Sequence, residues 1–244
     1  MKIIPRIRKR LLRLSNQKRM MQHQGVWFLL DPKNWIDNRI IAGYGYEENL
    51  IQQMFATIER LDIDTFLDIG ANIGYYTLRV AGHPKLSEIH SFEPVLRNLY
   101  QLHAGLYING YEHRVTTHHC ALSDSKEERI IHIDPRSTGI SRLSLEHAQR
   151  DVSVFTQQET IHTDVLDTLL PMKNRRIFIK IDTEGHEVSV LKGMPEFLRE
   201  NQCFMQVEVA PENKSTVDAL LKEAGYRYLS SIADNAFYCN FPQD

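Results

Sequence analysis

The stretch from Thr65 to Ala81 limits the fold of this chain more than any other part of the sequence. Thr65 to Ile69 is a short apolar run that reads as a strand. The turn Gly70-Ala71-Asn72-Ile73-Gly74 follows, and a helical pattern runs from about Gly74 to Ala81. A strand that feeds a helix through glycines is the unit from which parallel α/β sheets are built. Glycine suits the turn because, lacking a Cβ, it lets the backbone bend sharply and approach a ligand.

The same alternation continues downstream. Glu88 to Phe92 reads as the second strand, with Pro94 as the first helical residue of an element that runs to about Asn109. Val115 to Ala121 reads as the third strand, Arg129 to Ile133 as an extra strand and Asp164 to Leu170 as a short helix. Ile177 to Ile181 is an apolar fourth strand, and His186 to Lys192 begins a helix. Strands at Cys203 to Val209, Tyr226 to Ser230 and Phe237 to Phe241 complete the set, with a helix over Lys214 to Ala224. The chain length of 244 residues suits one such α/β core. We divide it into a basic segment (1–24), an aromatic leader packed on the core (25–60) and the main domain (61–244).

Charge is distributed unevenly. Lys2, Arg6, Arg8, Lys9, Arg10, Arg13, Lys18 and Arg19 all precede the first acidic residue, Asp31, although the net charge is only -2. Ile4, Ile7, Leu11 and Leu14 fall at helical spacing among them, the pattern of an amphipathic basic helix. Such a helix can rest on an anionic membrane, pack on its own domain or stand solvated. No apolar run reaches eighteen residues, and the start is too basic for a signal peptide, so the expectation is a cytoplasmic protein, with peripheral contact at the inner face of a membrane as one option. Cys120, Cys203 and Cys239 are odd in number and far apart, which fits reduced thiols and no zinc motif.

Two placements suggest a nucleoside ligand. Asp68 and Gly70 end the first strand, and Glu93 ends the second, where Rossmann-type sites place a carboxylate for ribose hydroxyls. A dinucleotide loop wants Gly-x-Gly-x-x-Gly to cradle a pyrophosphate, but Asn72 stands at the middle glycine and Gly74 follows two residues later. S-adenosylmethionine has no phosphate, and Asp68 would repel a pyrophosphate while suiting an ammonium. These residues favour the methyl donor over a nicotinamide. A third constellation, Lys180-Ile181-Asp182-Thr183-Glu184-Gly185-His186, lies at the carboxyl end of the fourth strand, the edge where open α/β sheets bind ligands. Lys180 and Asp182 project to one face, where a lysine inside an apolar strand needs a carboxylate partner.

Taken together, Asp68 to Gly74, Phe92-Glu93-Pro94, Ala121-Leu122-Ser123-Asp124, Lys180 to Gly185 and the leader's Gly43-Tyr44-Gly45-Tyr46-Glu47 resemble the FkbM-type methyltransferase family. The resemblance implies a Rossmann-like class I methyltransferase: a mostly parallel seven-stranded sheet, an antiparallel last strand and helices on both faces. It further implies that Asp68, Gly70, Asn72, Gly74 and Glu93 hold the cofactor, with Ala121 and Asp124 near its adenine. The reaction it implies is methylation of a hydroxyl oxygen.

Methyl transfer from a sulfonium is a direct displacement, for which alignment of the reacting atoms can supply roughly 7 to 11 kcal/mol. A base that takes the hydroxyl proton adds about 10²- to 10⁴-fold. Asp182 and His186 are the candidate bases, Lys180 the group that orients Asp182 or holds the acceptor, and Glu184, Tyr46 and Glu47 the acceptor contacts. Asp182, Glu184 and Glu208 could instead gather Mg²⁺, the less favoured option because no dedicated ligand spacing is present. The expected acceptor is a sugar hydroxyl in a polysaccharide or glycolipid-like oligosaccharide. Alternatives are a polyketide or other small molecule, then an RNA, then a nicotinamide oxidoreductase activity. The fourth strand lacks an Asn/Asp-Pro-Pro-Tyr type of motif, which lowers the nucleic-acid reading, and no Tyr-x-x-x-Lys pair supports the oxidoreductase. A non-catalytic binding module is a further class, opposed by the intact Lys180-Asp182-Glu184 set. His118 and His119, adjacent on a strand, point to opposite faces and read as core or surface residues.

Overall fold

Alternate residues of the apolar strands face opposite ways, so each central strand feeds two separate cores. The computed structural model describes residues 17–146 and 151–242. The helical pattern of Ile4, Ile7, Leu11 and Leu14 therefore lies outside the described residues. The chain starts with a hairpin, β1 (Arg19–His23) and β2 (Val26–Leu30), and two helices, α1 (Trp35–Ile41) and α2 (Glu48–Arg60). Then come β3 (Thr65–Ile69), α3 (Tyr75–Val80), β4 (Glu88–Phe92), α4 (Leu96–Asn109), β5 (Thr116–His118), β6 (Ala121–Leu122), β7 (Glu128–Ile133) and β8 (Gln157–Asp164). The remainder is α5 (Leu166–Leu169), β9 (Arg176–Ile181), α6 (Glu187–Lys192), α7 (Pro195–Glu200), β10 (Gln202–Glu208), α8 (Lys214–Glu223), β11 (Arg227–Ile232) and β12 (Asn235–Cys239).

Seven strands form the main sheet in the order β11-β12-β10-β9-β3-β4-β5. β5, β4, β3, β9 and β10 run parallel, and β12 inserts antiparallel between β10 and β11. The expected sheet, with its reversed last strand, is therefore present. On one face Phe66, Phe178, Phe204 and Phe237 stack across four strands, with centroids 5.4 to 6.1 Å apart. Helices α1 to α4 and Phe28 and Leu30 of the hairpin close over them. On the other face Leu67, Ile69, Ile179, Ile181 and Val207 pack against α5 to α8. The leader is thus part of the first core.

Three expectations need correction. The third strand ends at His118; Ala121–Leu122 leaves the main sheet and pairs with β8 in a small sheet ordered β6-β8-β7. Pro94 precedes α4, whose N-cap is Val95, because the chain first lets the Val95 N–H reach the Glu93 carboxylate. Asp164 ends a strand, and the helix there is only Leu166–Leu169. The structure adds two elements to the expected set, α7 and β8. The missed β8 buries only Ile161 and Thr163 of its eight residues, so it has almost no apolar alternation to read.

Candidate active site

At their carboxyl ends β3, β4, β9 and β10 open onto one cavity of about 280 Å³. The glycine turn forms its floor. Gly70 and Ala71 both donate to the Phe92 carbonyl at 3.0 Å, which ties the turn to β4. Gly70 has φ +84, and a Cβ there would sit 1.9 Å from the carbonyl oxygen of Asp182, so no other residue fits. Gly74 has φ +82 and caps α3, with its absent Cβ against Leu102 rather than in the cavity.

Glu93 is the fixed point of one end. It is 4% exposed, and its Oε2 accepts from Asn72 N at 2.7 Å. Its Oε1 accepts from Val95 N at 2.8 Å and Asn98 Nδ2 at 3.2 Å. Burial outweighs these donors and pushes the carboxyl up to about 7. Asn72 also lines the cavity, with φ +51, and Ala121 lies beside it.

Asp68 is placed differently. It is 1% exposed and does not line the cavity; its Oδ2 accepts from Thr77 N at 3.1 Å and Thr77 Oγ1 at 2.6 Å, joining β3 to the first turn of α3. Burial raises its pKa. Asp124 is exposed and also outside the lining; its carboxylate accepts from Ser123 Oγ at 3.2 Å.

The other end is rich in carboxylates. Asp182 leaves β9 and Glu208 ends the neighbouring β10, and oxygens of Asp182, Glu184 and Glu208 lie within 4.8 Å of one another. That is a donor set a hard cation could use. The charge of Asp182, then burial, raises the Glu208 carboxyl above its ordinary value. Glu184 has φ +53 and pairs with Arg142 Nη2 at 3.5 Å. Glu47, also in the left-handed region at φ +51, lines the cavity beside Tyr46, and burial raises its pKa. Three of the seven described non-glycine residues with positive φ, Glu47, Asn72 and Glu184, stand in this wall, in a conformation that costs about 1 to 3 kcal/mol apiece.

Lys180 lies beneath this end rather than in the lining. Its Nζ is 2.9 Å from Asp182 Oδ2 and 4.6 Å from the centre of the Tyr76 ring. Burial alone would lower its pKa, but Asp182, Asp68 and Glu47 override that and hold it above its ordinary value. His186, the N-cap of α6, borders the cavity with Nε2 3.0 Å from Ser123 Oγ, and burial lowers it to about 4.

The structure brings Asp182, His186, Gly70, Asn72, Glu93, Ala121, Glu184, Tyr46 and Glu47 to one cavity. It sets Lys180, Asp68 and Gly74 behind the wall and Asp124 outside it. Of the aromatic leader residues that could wall the acceptor pocket, Trp35 and Tyr46 line the cavity and Tyr44 does not, whereas sequence reasoning missed Asn98 and the segment Ser137 to Ser141. Asn98 had a signal, since it stands in the first turn after Glu93, where a side chain can reach back to that carboxylate. The Ser137 segment had none, because a loop returning from the small sheet carries no local pattern. His118 and His119 do not line the cavity, and His118 stacks on Phe92 at 4.4 Å.

A family model described as Methyltransferase FkbM domain matches residues 68–228. Among solved structures, the methyltransferase FkbM from Methylobacillus flagellatus KT is similar at 19% identity and a TM-score of 0.51 over 73% of this chain. This chain spans 44% of the length of that one. A human methyltransferase 10 domain containing protein is similar at 9% identity and a TM-score of 0.50, with 97% of this chain and 93% of that one covered. At such identities these structures establish the fold, a Rossmann-like class I methyltransferase sheet. No curated protein matches the chain.

Proposed function

The chain belongs to the FkbM methyltransferase domain family, and from that premise we propose that it transfers a methyl group from S-adenosylmethionine to a hydroxyl of a neutral sugar in a glycan. One observation carries the choice of acceptor. Among the described residues, the end of the cavity away from Glu93 is lined by Glu47, Asp182, Glu184 and Glu208 and by no lysine or arginine, while Lys180 and Arg142 pair with Asp182 and Glu184. Carboxylates accept hydrogen bonds from sugar hydroxyls but repel phosphate, sulfate and carboxylate groups. Trp35, 44% exposed at the rim with the Arg39 guanidinium 5.7 Å from its ring centre, offers aromatic surface against which a sugar ring can lie. A nucleic acid or other anionic acceptor is disfavoured on the same ground.

The wall suits the cofactor. Glu93 would accept from ribose hydroxyls, and in support the amide oxygens of Asn72 and Asn98 are buried without a partner among the described residues. When bound, S-adenosylmethionine supplies an electrophilic methyl on a sulfonium. Gly70, Asn72, Ala121 and Glu93 would hold it.

The remaining chemistry falls to the chain. An acceptor hydroxyl must lose its proton as its oxygen gains the methyl, and Asp182 is the group that takes that proton. Lys180 fixes one carboxylate oxygen through its 2.9 Å ion pair and leaves the other for the acceptor. His186 is less available as the base, because its Nε2 is already 3.0 Å from Ser123 Oγ. Trp35, Ile36 and the Ser137 to Ser141 segment roof the cavity and restrict water.

The test is methyl transfer from radiolabelled S-adenosylmethionine to a panel of neutral, amino, uronic and phosphorylated glycans, with a small-molecule macrolide and an RNA for contrast. Labelling of neutral glycans supports the reading. Preferential labelling of RNA or of phosphorylated glycans would sink it.

A further inference from the structure

The cofactor reading leaves an unmet requirement at Glu93. An ionised carboxylate has about four lone-pair sites. Three are taken within the protein, by Asn72 N on Oε2 and by Val95 N and Asn98 Nδ2 on Oε1. One site remains, on Oε2. A ribose presents two neighbouring hydroxyls, each a donor, and a buried donor left unpaired costs about 1 to 3 kcal/mol. A second acceptor is therefore needed close to the first.

Asn98 meets that need. It is 1% exposed, borders the cavity and stands in the first turn of α4. Its Nδ2 is engaged by Glu93, which fixes the amide so that Oδ1 is the atom left over, and Oδ1 is buried with no partner. An unpaired buried amide oxygen is costly in the protein alone and is relieved by a donor from a ligand. We infer that Asn98 is a ribose-reading residue: its Oδ1 accepts from one cofactor hydroxyl while the free site on Glu93 accepts from the other. Asn72 Oδ1 is the competing candidate, but Asn72 is only half-buried and its backbone N–H is what engages Glu93.

This inference rests on the S-adenosylmethionine reading and is tested by binding, not turnover. Calorimetric titrations would compare S-adenosylhomocysteine with its 2′-deoxy and 3′-deoxy analogues on the wild type, Asn98→Ala, Asn98→Ser and Asn72→Ala. The wild type should bind each deoxy analogue about tenfold more weakly than the parent, one lost hydrogen bond apiece. Asn98→Ala should bind the parent about tenfold more weakly and should lose its penalty for one analogue while keeping it for the other. Asn72→Ala should keep both penalties. If Asn98→Ala does not fold, Asn98→Ser and the wild-type analogue series still decide. A wild type indifferent to one of the two hydroxyls overturns the inference, as does a penalty lost with Asn72 instead of Asn98. A wild type that binds S-adenosylhomocysteine but shows either result leaves the cofactor reading standing; one that does not bind it overturns both.

Discussion

Lys180 and Asp182, two residues apart on β9, are joined by a 2.9 Å ion pair whose lysine is 5% exposed and whose carboxylate reaches the cavity. The pair therefore links the buried side of the sheet to the reacting end of the site.

Removing the ammonium strands several carboxylates. Lys180→Met leaves Asp182, Asp68 and Glu47 without their shared counter-charge, and breaking a buried pair in this way costs about 3 to 5 kcal/mol. Scanning calorimetry should show Tm falling by roughly 10 °C for a chain of this size. Adding Asp182→Asn to Lys180→Met should recover part of the loss. An unchanged Tm in the single variant would mean that the pair is not the anchor described.

Asp182→Asn should separate chemistry from binding. The amide keeps an oxygen for Lys180 but cannot take a proton, so kcat should fall by about 10²- to 10⁴-fold. S-adenosylhomocysteine affinity should change little. If turnover survives this change and collapses in His186→Gln, the base is His186.

Chelation tests the other role open to the same carboxylates. Because Lys180 already balances Asp182, turnover is expected to persist after dialysis against EDTA. Loss of turnover restored by Mg²⁺ would assign Asp182, Glu184 and Glu208 as cation ligands.

Glu93 should give cofactor binding a pH dependence. Its carboxyl is raised from an ordinary 4.5 to about 7 by burial, so the folded protein holds this proton more tightly than the unfolded chain does. The associated stability is present below pH 4.5 and is lost as pH rises through about 7, a loss on the order of 3 kcal/mol. Only the ionised form accepts from ribose without a proton in the way. S-adenosylhomocysteine should therefore bind about tenfold more tightly at pH 8 than at pH 6. Glu93→Gln should bind weakly and without that slope; a wild-type affinity flat over this range would count against the assignment.

The histidine pair at the sheet edge should set acid sensitivity. His90 Nδ1 and His118 Nε2 are 3.1 Å apart, and burial lowers both, His118 to about 4. Neutral in the fold and protonated in the unfolded chain, they cost stability as pH falls below 6.5 towards about 4. His118→Phe keeps the stack on Phe92 and removes one proton site. Urea denaturation should show a smaller loss between pH 7 and pH 5 for this variant than for the wild type.

How far the sequence could be read depended on where each signal resides. Thr65–Ile69, Glu88–Phe92 and the Lys180-Asp182 strand announce themselves because apolar runs, a glycine turn and a terminal acid are local patterns. β8 was illegible because one face is solvated and the other buries only Ile161 and Thr163. The place of Asp68 in the motif is local, but that Thr77 engages its Oδ2 and leaves Oδ1 buried without a partner among the described residues appears only in the fold. Ser137 and Gly139 reach the cavity only through tertiary packing. Their part in the wall is a property of the folded chain alone.

The 1.9 Å gap that a Cβ on Gly70 would have to the Asp182 carbonyl means that the donor loop and the acid loop share a seam with no room for a single added atom. A substitution on one side of that seam therefore disturbs the other, whereas the segments Trp35 to Glu47 and Ser137 to Leu143 border the cavity from outside the seam and leave the two loops in register when they change.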